Sequence, residues 1–138
     1  MSQTQSRIPD SAEKISRVGF SDFSGPFYRL EAAPDNMHAR YGFVAEHKHM
    51  NGSGNLHGGL LLAFADIAMG HAARAIAGSD NCSAVSLTGD FIAGGQQGEL
   101  IEALVRVSRK TRTLVFQSVD IVASQRILMV ASGLWKIG

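Results

Sequence analysis

The sequence predicts an α+β domain in which an antiparallel sheet of five or six strands wraps around one long central helix. Three observations carry that expectation. From about residue 59 to 77 the chain is Leu, Ala, Ile, Met and Phe on nearly every helical face, which marks a helix surrounded by protein. Two β-compatible segments precede this run and four follow it. The connections are short and rich in Gly, Asn, Asp and Ser.

Along the chain, residues 1–24 read as a polar N-terminal arm, with a short helix expected over 11–18, capped by Asp10 or Ser11. The domain proper covers 25–138. It opens with a hairpin of segments 27–32 and 37–46, turned by Pro34-Asp35-Asn36. Residues 47–55 form a polar loop that delivers a helix N-terminus at Leu56-His57-Gly58-Gly59, and Gly78-Ser79-Asp80-Asn81 closes that helix. Strands are expected near 83–92, 99–109, 113–123 and 127–136, joined by hairpin-length connections. In the third of these, Gln117, Val119 and Ile121 alternate only imperfectly with Ser118, Asp120 and Val122, so the pattern leaves their facing open.

With 138 residues, 45% hydrophobic and 18% charged, the chain suits a single globular domain with one core. Thirteen basic and twelve acidic residues give a net charge of +1, so no global field points to nucleic acid or to an anionic membrane. Cys82 stands alone and the first residues lack the apolar core of a signal peptide, so a cytoplasmic protein is expected. The nearly uncharged stretch 56–73 approaches the ~20 residues of a membrane span. It holds His57, Asp66 and His71, however, which favours a buried core helix. His47 and His49 have no third ligand at a usual spacing, so no metal is expected. A Gly-x-Ser-x-Gly elbow, a phosphate loop and a Cys-x-x-Cys pair are all missing, which removes the common serine-hydrolase, nucleotide-binding and redox readings.

The chemistry is expected in the segment from Asn51 to Gly59 and in the helix that follows. Glycines at a helix start leave N–H groups uncovered by side chains, and with the helix dipole such donors stabilise an oxyanion; Gly58 and Gly59 are placed for this. Asp66 is a carboxylate in an otherwise apolar run, a costly position that calls for a reason. Catalysis is one reason, and a bond to a backbone amide or to Arg74 two turns on is the other. His57 either holds the loop or positions a substrate carbonyl.

Asn51, His57-Gly58-Gly59 and Asp66 nine residues after the histidine resemble the signature of hotdog-fold thioesterases of the phenylacetyl-CoA and 4-hydroxybenzoyl-CoA thioesterase group, over about residues 25–137. The resemblance implies a hotdog fold and hydrolysis of an acyl-CoA thioester, with coenzyme A as part of the substrate and no separate cofactor. It implies that Asp66 acts as general base or nucleophile, that the Gly58 amide polarises the thioester carbonyl, that Asn51 helps place water or substrate, and that His57 orients the carbonyl or the loop. Many members carry Ser or Thr eighteen residues beyond the Asp, where this chain has Ala84; Ser86 and Thr88 share its strand face if the register holds.

Asp66 lies eight residues into the helix, about 12 Å along its axis from Gly58. One subunit cannot easily bring both to one carbonyl. Two antiparallel helices across a two-fold axis can, so a homo-oligomer, a dimer or a dimer of dimers, is expected with sites shared between subunits. The basic cluster of Arg106, Arg109, Lys110 and Arg112 is either a solvated turn or a grip on coenzyme A phosphates. Two other functions fit the same scaffold: a hotdog hydratase or dehydratase, and a non-catalytic acyl-CoA-binding or regulatory protein, which the Ala84 departure keeps open.

Overall fold

The computed structural model describes residues 7–138. In chain order they form β1 (Glu13–Lys14), α1 (Gly19–Ser24), β2 (Tyr28–Ala32), β3 (His38–Val44), a 3-10 turn (His47–His49), α2 (Gly58–Ala77), β4 (Cys82–Phe91), β5 (Leu100–Lys110), β6 (Leu114–Ala123) and β7 (Arg126–Ile137). The strands make one antiparallel sheet in the order β1-β2-β3-β5-β6-β7-β4, and α2 lies against it. The α+β class with one long helix is what the sequence predicts, but the sheet has seven strands rather than five or six.

The additional strand comes from the arm. Glu13 and Lys14 pair with Arg29 and Tyr28, Ile15 N–H donates to the Phe27 carbonyl, and the buried Ser16 hydroxyl accepts from Phe27 N–H. The helix expected over 11–18 is therefore absent. A lone helix of two turns has only marginal stability, whereas the extended segment gains strand hydrogen bonds and buries Ser16. The short helix begins instead at Gly19, whose φ of 61° reverses the chain.

The long helix buries Leu61, Phe64, Ala65, Ala68, Met69, Ala72 and Ala73 against the inner face of the sheet. Phe64 stacks on Phe27 at 5.3 Å and meets Phe43 edge-on at 4.8 Å, so the first half of α2 is wedged between rings of β3 and the segment before β2. Burying aromatic rings in this way is worth ~2 kcal/mol or more each. In β6 the inward residues are Val115, Gln117, Val119, Ile121 and Ala123, which settles the facing that alternation left open. Gln117 is accommodated there because its Nε2 donates to the Met69 carbonyl at 2.8 Å.

One connection differs from expectation. The strands β4 and β5 are not a hairpin, since β4 pairs only with β7 at the sheet edge and β5 lies between β3 and β6. The segment between them crosses the end of the sheet, where Gly95 accepts from Leu56 N–H. A short link between consecutive strands suggests a hairpin, but here the curl of the sheet around α2 brings distant edges within reach of it.

Candidate active site

Where the loop meets α2, Asn51 Oδ1 accepts from Ser53 N–H at 2.9 Å and Asn55 N–H at 3.0 Å, while its backbone N–H donates to the Asn55 carbonyl at 2.7 Å. Gly54, with φ of 83°, makes the reversal this turn needs. The Asn51 side-chain amide, a two-proton donor, has no acceptor among the described residues. Behind the turn, the crossing segment presses close. A Cβ at Gly94 would sit 2.4 Å from Asn55 Oδ1, and one at Gly95 would sit 2.6 Å from Leu56 Cδ1. These two glycines let the β4–β5 crossover support the helix start.

His57 is the N-cap of α2. Its Nδ1 accepts from Gly59 N–H at 2.8 Å, so its remaining proton is on Nε2, which faces outward from an exposed ring. This bond changes one expectation: the Gly59 amide is already taken and is not a free donor. Gly58 N–H, at the first helical position, has no acceptor among the described residues. The Phe91 ring lies over Gly58, at 3.2 Å from where a Cβ would be, so a glycine keeps the helix start in contact with the end of β4.

His49, which the sequence leaves as half of a histidine pair, is a structural residue. It is buried, its Nδ1 accepts from Glu46 N–H at 2.9 Å, and its Nε2 donates to the Ser24 carbonyl at 2.6 Å. Its own carbonyl receives His57 N–H, so His49 ties the arm to the loop that carries the helix cap. Burial lowers its pKa.

Asp66 opens on a cleft of about 280 Å³ on the free side of α2, shared with His71, Arg74, Cys82, Ala84 and Trp135. The carboxyl makes no hydrogen bond or ion pair among the described residues, so the bond to Arg74 that would explain it structurally is not formed. It is exposed to solvent in the single chain, yet the cleft walls desolvate it enough to raise its pKa above the ordinary carboxylate value, against a smaller lowering by Arg74. On the same side, His71 Nδ1 shares a 2.9 Å hydrogen bond with the hydroxyl of the fully buried Tyr41. Burial lowers the His71 pKa and raises that of Tyr41.

The strand beside Asp66 resolves the question raised by Ala84. Ala84 pairs with the inward Trp135 and lines the cleft, but the register then shifts at Val85, and Ser86 pairs with Leu134. The extra residue turns Ser86 and Thr88 to the outer face of the sheet, where Thr88 lines a shallow groove with Asp90 and Ser132. Neither hydroxyl can stand in for the missing one. The cleft residues His71 and Trp135 carry no sequence pattern that singles them out, and the sequence offers Arg74 only as a partner for Asp66, the i, i+4, i+8 spacing of Asp66, Gly70 and Arg74 placing those three on one helix face.

The basic cluster is separate from the helix start. Arg109 and Lys110 end β5 and Arg112 lies in the β5–β6 turn, in register with the start of β4, whereas Gly58 packs against Phe91 at the other end of that strand. All three side chains are exposed. Within one chain, then, Asn51, His57 and Gly58 come together, Asp66 lies eight residues along α2, and the cluster lies beyond the helix's other end.

The thioesterase superfamily model matches residues 53–130, more than half of the chain. Over 132 residues the chain is 28% identical to PA0474 of Pseudomonas aeruginosa, named as a presumed esterase, with 94% of this chain and 97% of that protein covered. Among solved structures, the TT0310 protein of Thermus thermophilus matches with a TM-score of 0.77 at 24% identity, covering 88% of this chain and 99% of that one. A mutant of the phenylacetic acid degradation protein PaaI from the same organism gives 0.76 at 24% identity, with 86% and 98% covered. Thioesterase superfamily member 2 of Mus musculus gives 0.76 at 21%, with 87% and 88% covered. The likeness is one of fold: these chains share the hotdog arrangement of a sheet wrapped around a long helix.

Proposed function

This chain belongs to the thioesterase superfamily, and we propose that it hydrolyses the thioester bond of an acyl-CoA, releasing free acid and coenzyme A, as a cytoplasmic homo-oligomer with sites shared between subunits. The observation that carries the reading is Asp66, a carboxylate with a raised pKa and no partner among the described residues, in a cleft on the free side of the central helix.

Two features support a shared site. α2 is continuous from Gly58 to Ala77, so the Gly58 amide and Asp66 remain about 12 Å apart along one axis. The strand next to the cleft, β4, is the sheet edge, with unpaired backbone groups and the exposed apolar Val85 and Phe91. Joining two β4 edges antiparallel sets the two helices antiparallel, with Asp66 of one facing the loop of the other.

In such a site the thioester oxygen accepts from the Gly58 N–H of the partner subunit, at a helix N-terminus whose dipole favours the developing oxyanion. The Asn51 amide of that loop supplies a second donor. Asp66, ionised, takes a proton from water as it attacks the carbonyl carbon; the tetrahedral intermediate collapses, the carbon–sulfur bond breaks, and the proton passes from Asp66 to the departing thiolate. Direct attack by Asp66 instead breaks the carbon–sulfur bond, expels the coenzyme A thiolate and leaves an acyl anhydride that water then opens to free acid and the Asp66 carboxylate. Single turnover in ¹⁸O-water labels Asp66 only by the second route. Arg109, Lys110 and Arg112, at an exposed turn, supply cations for the phosphates of coenzyme A.

Ala84, which leaves the cleft without a strand hydroxyl, favours one other reading, a protein that binds acyl-CoA without turning it over. Thiol release from a panel of acyl-CoAs, followed with a thiol reagent, separates the two. Hydrolysis liberates thiol in step with free acid, and a panel that binds without release would overturn the enzymatic reading.

A further inference from the structure

The cleft beside Asp66 continues along α2 to a slot over Gly70. Gly70 is buried in the middle of a 20-residue helix, where glycine costs about 1 kcal/mol relative to alanine. No close backbone approach calls for it. A Cβ there would meet only Arg74 Nη1 at 3.5 Å and Trp135 Nε1 at 3.6 Å, both ordinary contacts. What the glycine provides is therefore a stretch of cleft wall with no side chain of its own, flanked by two hydrogen-bond donors.

Both donors are uncommitted among the described residues, and Trp135 is held in place. The Trp135 indole lies across Gly133, where a Cβ would come within 2.4 Å of the ring, and this directs Nε1 toward α2. Neither the indole N–H nor the Arg74 guanidinium has an acceptor among the described residues, and Arg74 forms no ion pair there. Arg74 leans one turn back toward the helix start, as long side chains on helices do. The charges near this end of the cleft are Arg74, Arg29 and Arg17 against Glu13 and Asp66, and with Arg29 paired to Glu13 at 2.9 Å, Arg74 is the cation that lines the cleft.

We propose that this slot binds a carboxylate at the far end of the acyl chain, making the substrate a dicarboxylic acid esterified to coenzyme A at one end, with Arg74 and Trp135 as its specificity residues. The proposal rests on the thioesterase reading for the position of the other end. With the thioester carbon beside Asp66, the slot over Gly70 lies one helical turn further, about 6 Å along the axis, a gap that roughly four to six carbons span. A carboxylate there accepts from the guanidinium and the indole together, bonds that are stronger for being charge-assisted.

Glutaryl-CoA and valeryl-CoA test this, since they have the same five-carbon length and differ only in whether the last carbon carries charge. Thiol release by the wild-type protein should favour glutaryl-CoA in kcat/KM by about tenfold or more. Both Arg74→Gln and Gly70→Ala should bring the ratio of the two substrates toward one, and Arg74→Lys should restore part of it. Gly70→Ala introduces a better helix former without a clash, so thermal melts should show it folded. A wild-type ratio at or below one, or equal losses on both substrates in the variants, overturns the proposal. Calorimetric titration of Asp66→Asn with the two thioesters reads the slot without turnover. Tighter binding of glutaryl-CoA that is lost on adding Arg74→Gln would uphold the slot even if no thioester were hydrolysed, and equal binding of the two would refute it.

Discussion

Asp66 combines a raised pKa with the absence of a partner among the described residues, and each property yields an expectation. A carboxyl whose folded pKa is raised contributes stability that is full below the unfolded value and is lost as pH rises through the folded value. At neutral pH the ionised group therefore weakens the fold. Asp66→Asn should leave the thermal midpoint unchanged or higher while lowering kcat by about a hundredfold or more. A variant with wild-type kcat would remove Asp66 from the mechanism. In the proposed mechanism Asp66 acts in its ionised form, so the acid limb of kcat should lie above the ordinary carboxylate range, and since Arg74 lowers the Asp66 pKa, Arg74→Gln should move that limb further up. Ala84 offers a gain-of-function test. It lines the cleft where Ser86 and Thr88 cannot, so Ala84→Ser should raise kcat several-fold if water is activated there. An unchanged rate in a folded variant would mean that no water is held from that strand.

The helix start depends on two elements packed behind it. Gly94 lies so near Asn55 that alanine would force its Cβ to within 2.4 Å of Oδ1. Gly94→Ala should cost about 1–3 kcal/mol in denaturant unfolding and depress kcat more than Gly98→Ala, which strains a turn glycine at φ of 89° but brings its Cβ within 4 Å of nothing. Equal effects of the two on kcat would mean that the crossover does not position the loop. On the other side, His49 joins the arm to the loop in its neutral form, and His71 is half-buried beside Tyr41. Both have folded pKa values below the unfolded one, so the unfolded chain binds more protons as pH falls below about 6.5. Their contribution is complete above that pH and is lost as pH falls from there through the folded values. Denaturant midpoints measured between pH 7.5 and 5 should fall, and His49→Gln should be less stable at pH 7.5 by about 2–3 kcal/mol with a shallower pH slope. A slope unchanged by the substitution would assign the acid sensitivity elsewhere.

At the scale of the whole molecule, the single chain separates what the proposed reaction must join. The Gly58 amide and Asp66 sit on one rigid helix and cannot converge, while β4 presents an open edge beside the cleft. Refolding Asp66→Asn together with Asn51→Ala should produce mixed dimers in which one site carries both defects and the other neither. Random assembly makes half the dimers mixed with one intact site of two, so activity should recover to about a quarter of wild type. No recovery despite demonstrated subunit exchange would mean that each chain builds its own site.

Much of this arrangement is legible in the order of residues, because its causes are local. All-round apolarity marks α2 as a core helix, the Gly-rich loop and His57 mark its start, and Gly78 marks its end with a φ of 63°. The strands after it lie within a few residues of their predicted bounds for the same reason, since turns are specified by the residues that form them. What the local code does not hold is which surfaces meet. The arm becomes a strand only because the edge of β2 is available to it, and β4 pairs with β7 only because the sheet closes around the helix. One bulge residue, Val85, moves Ser86 and Thr88 to the opposite face, a change invisible in a sequence where both share the parity of Ala84. The capture of the Gly59 amide by His57, and the convergence of Arg74 and Trp135, which are 61 residues apart by number, over Gly70, depend on distances that only the packed chain sets.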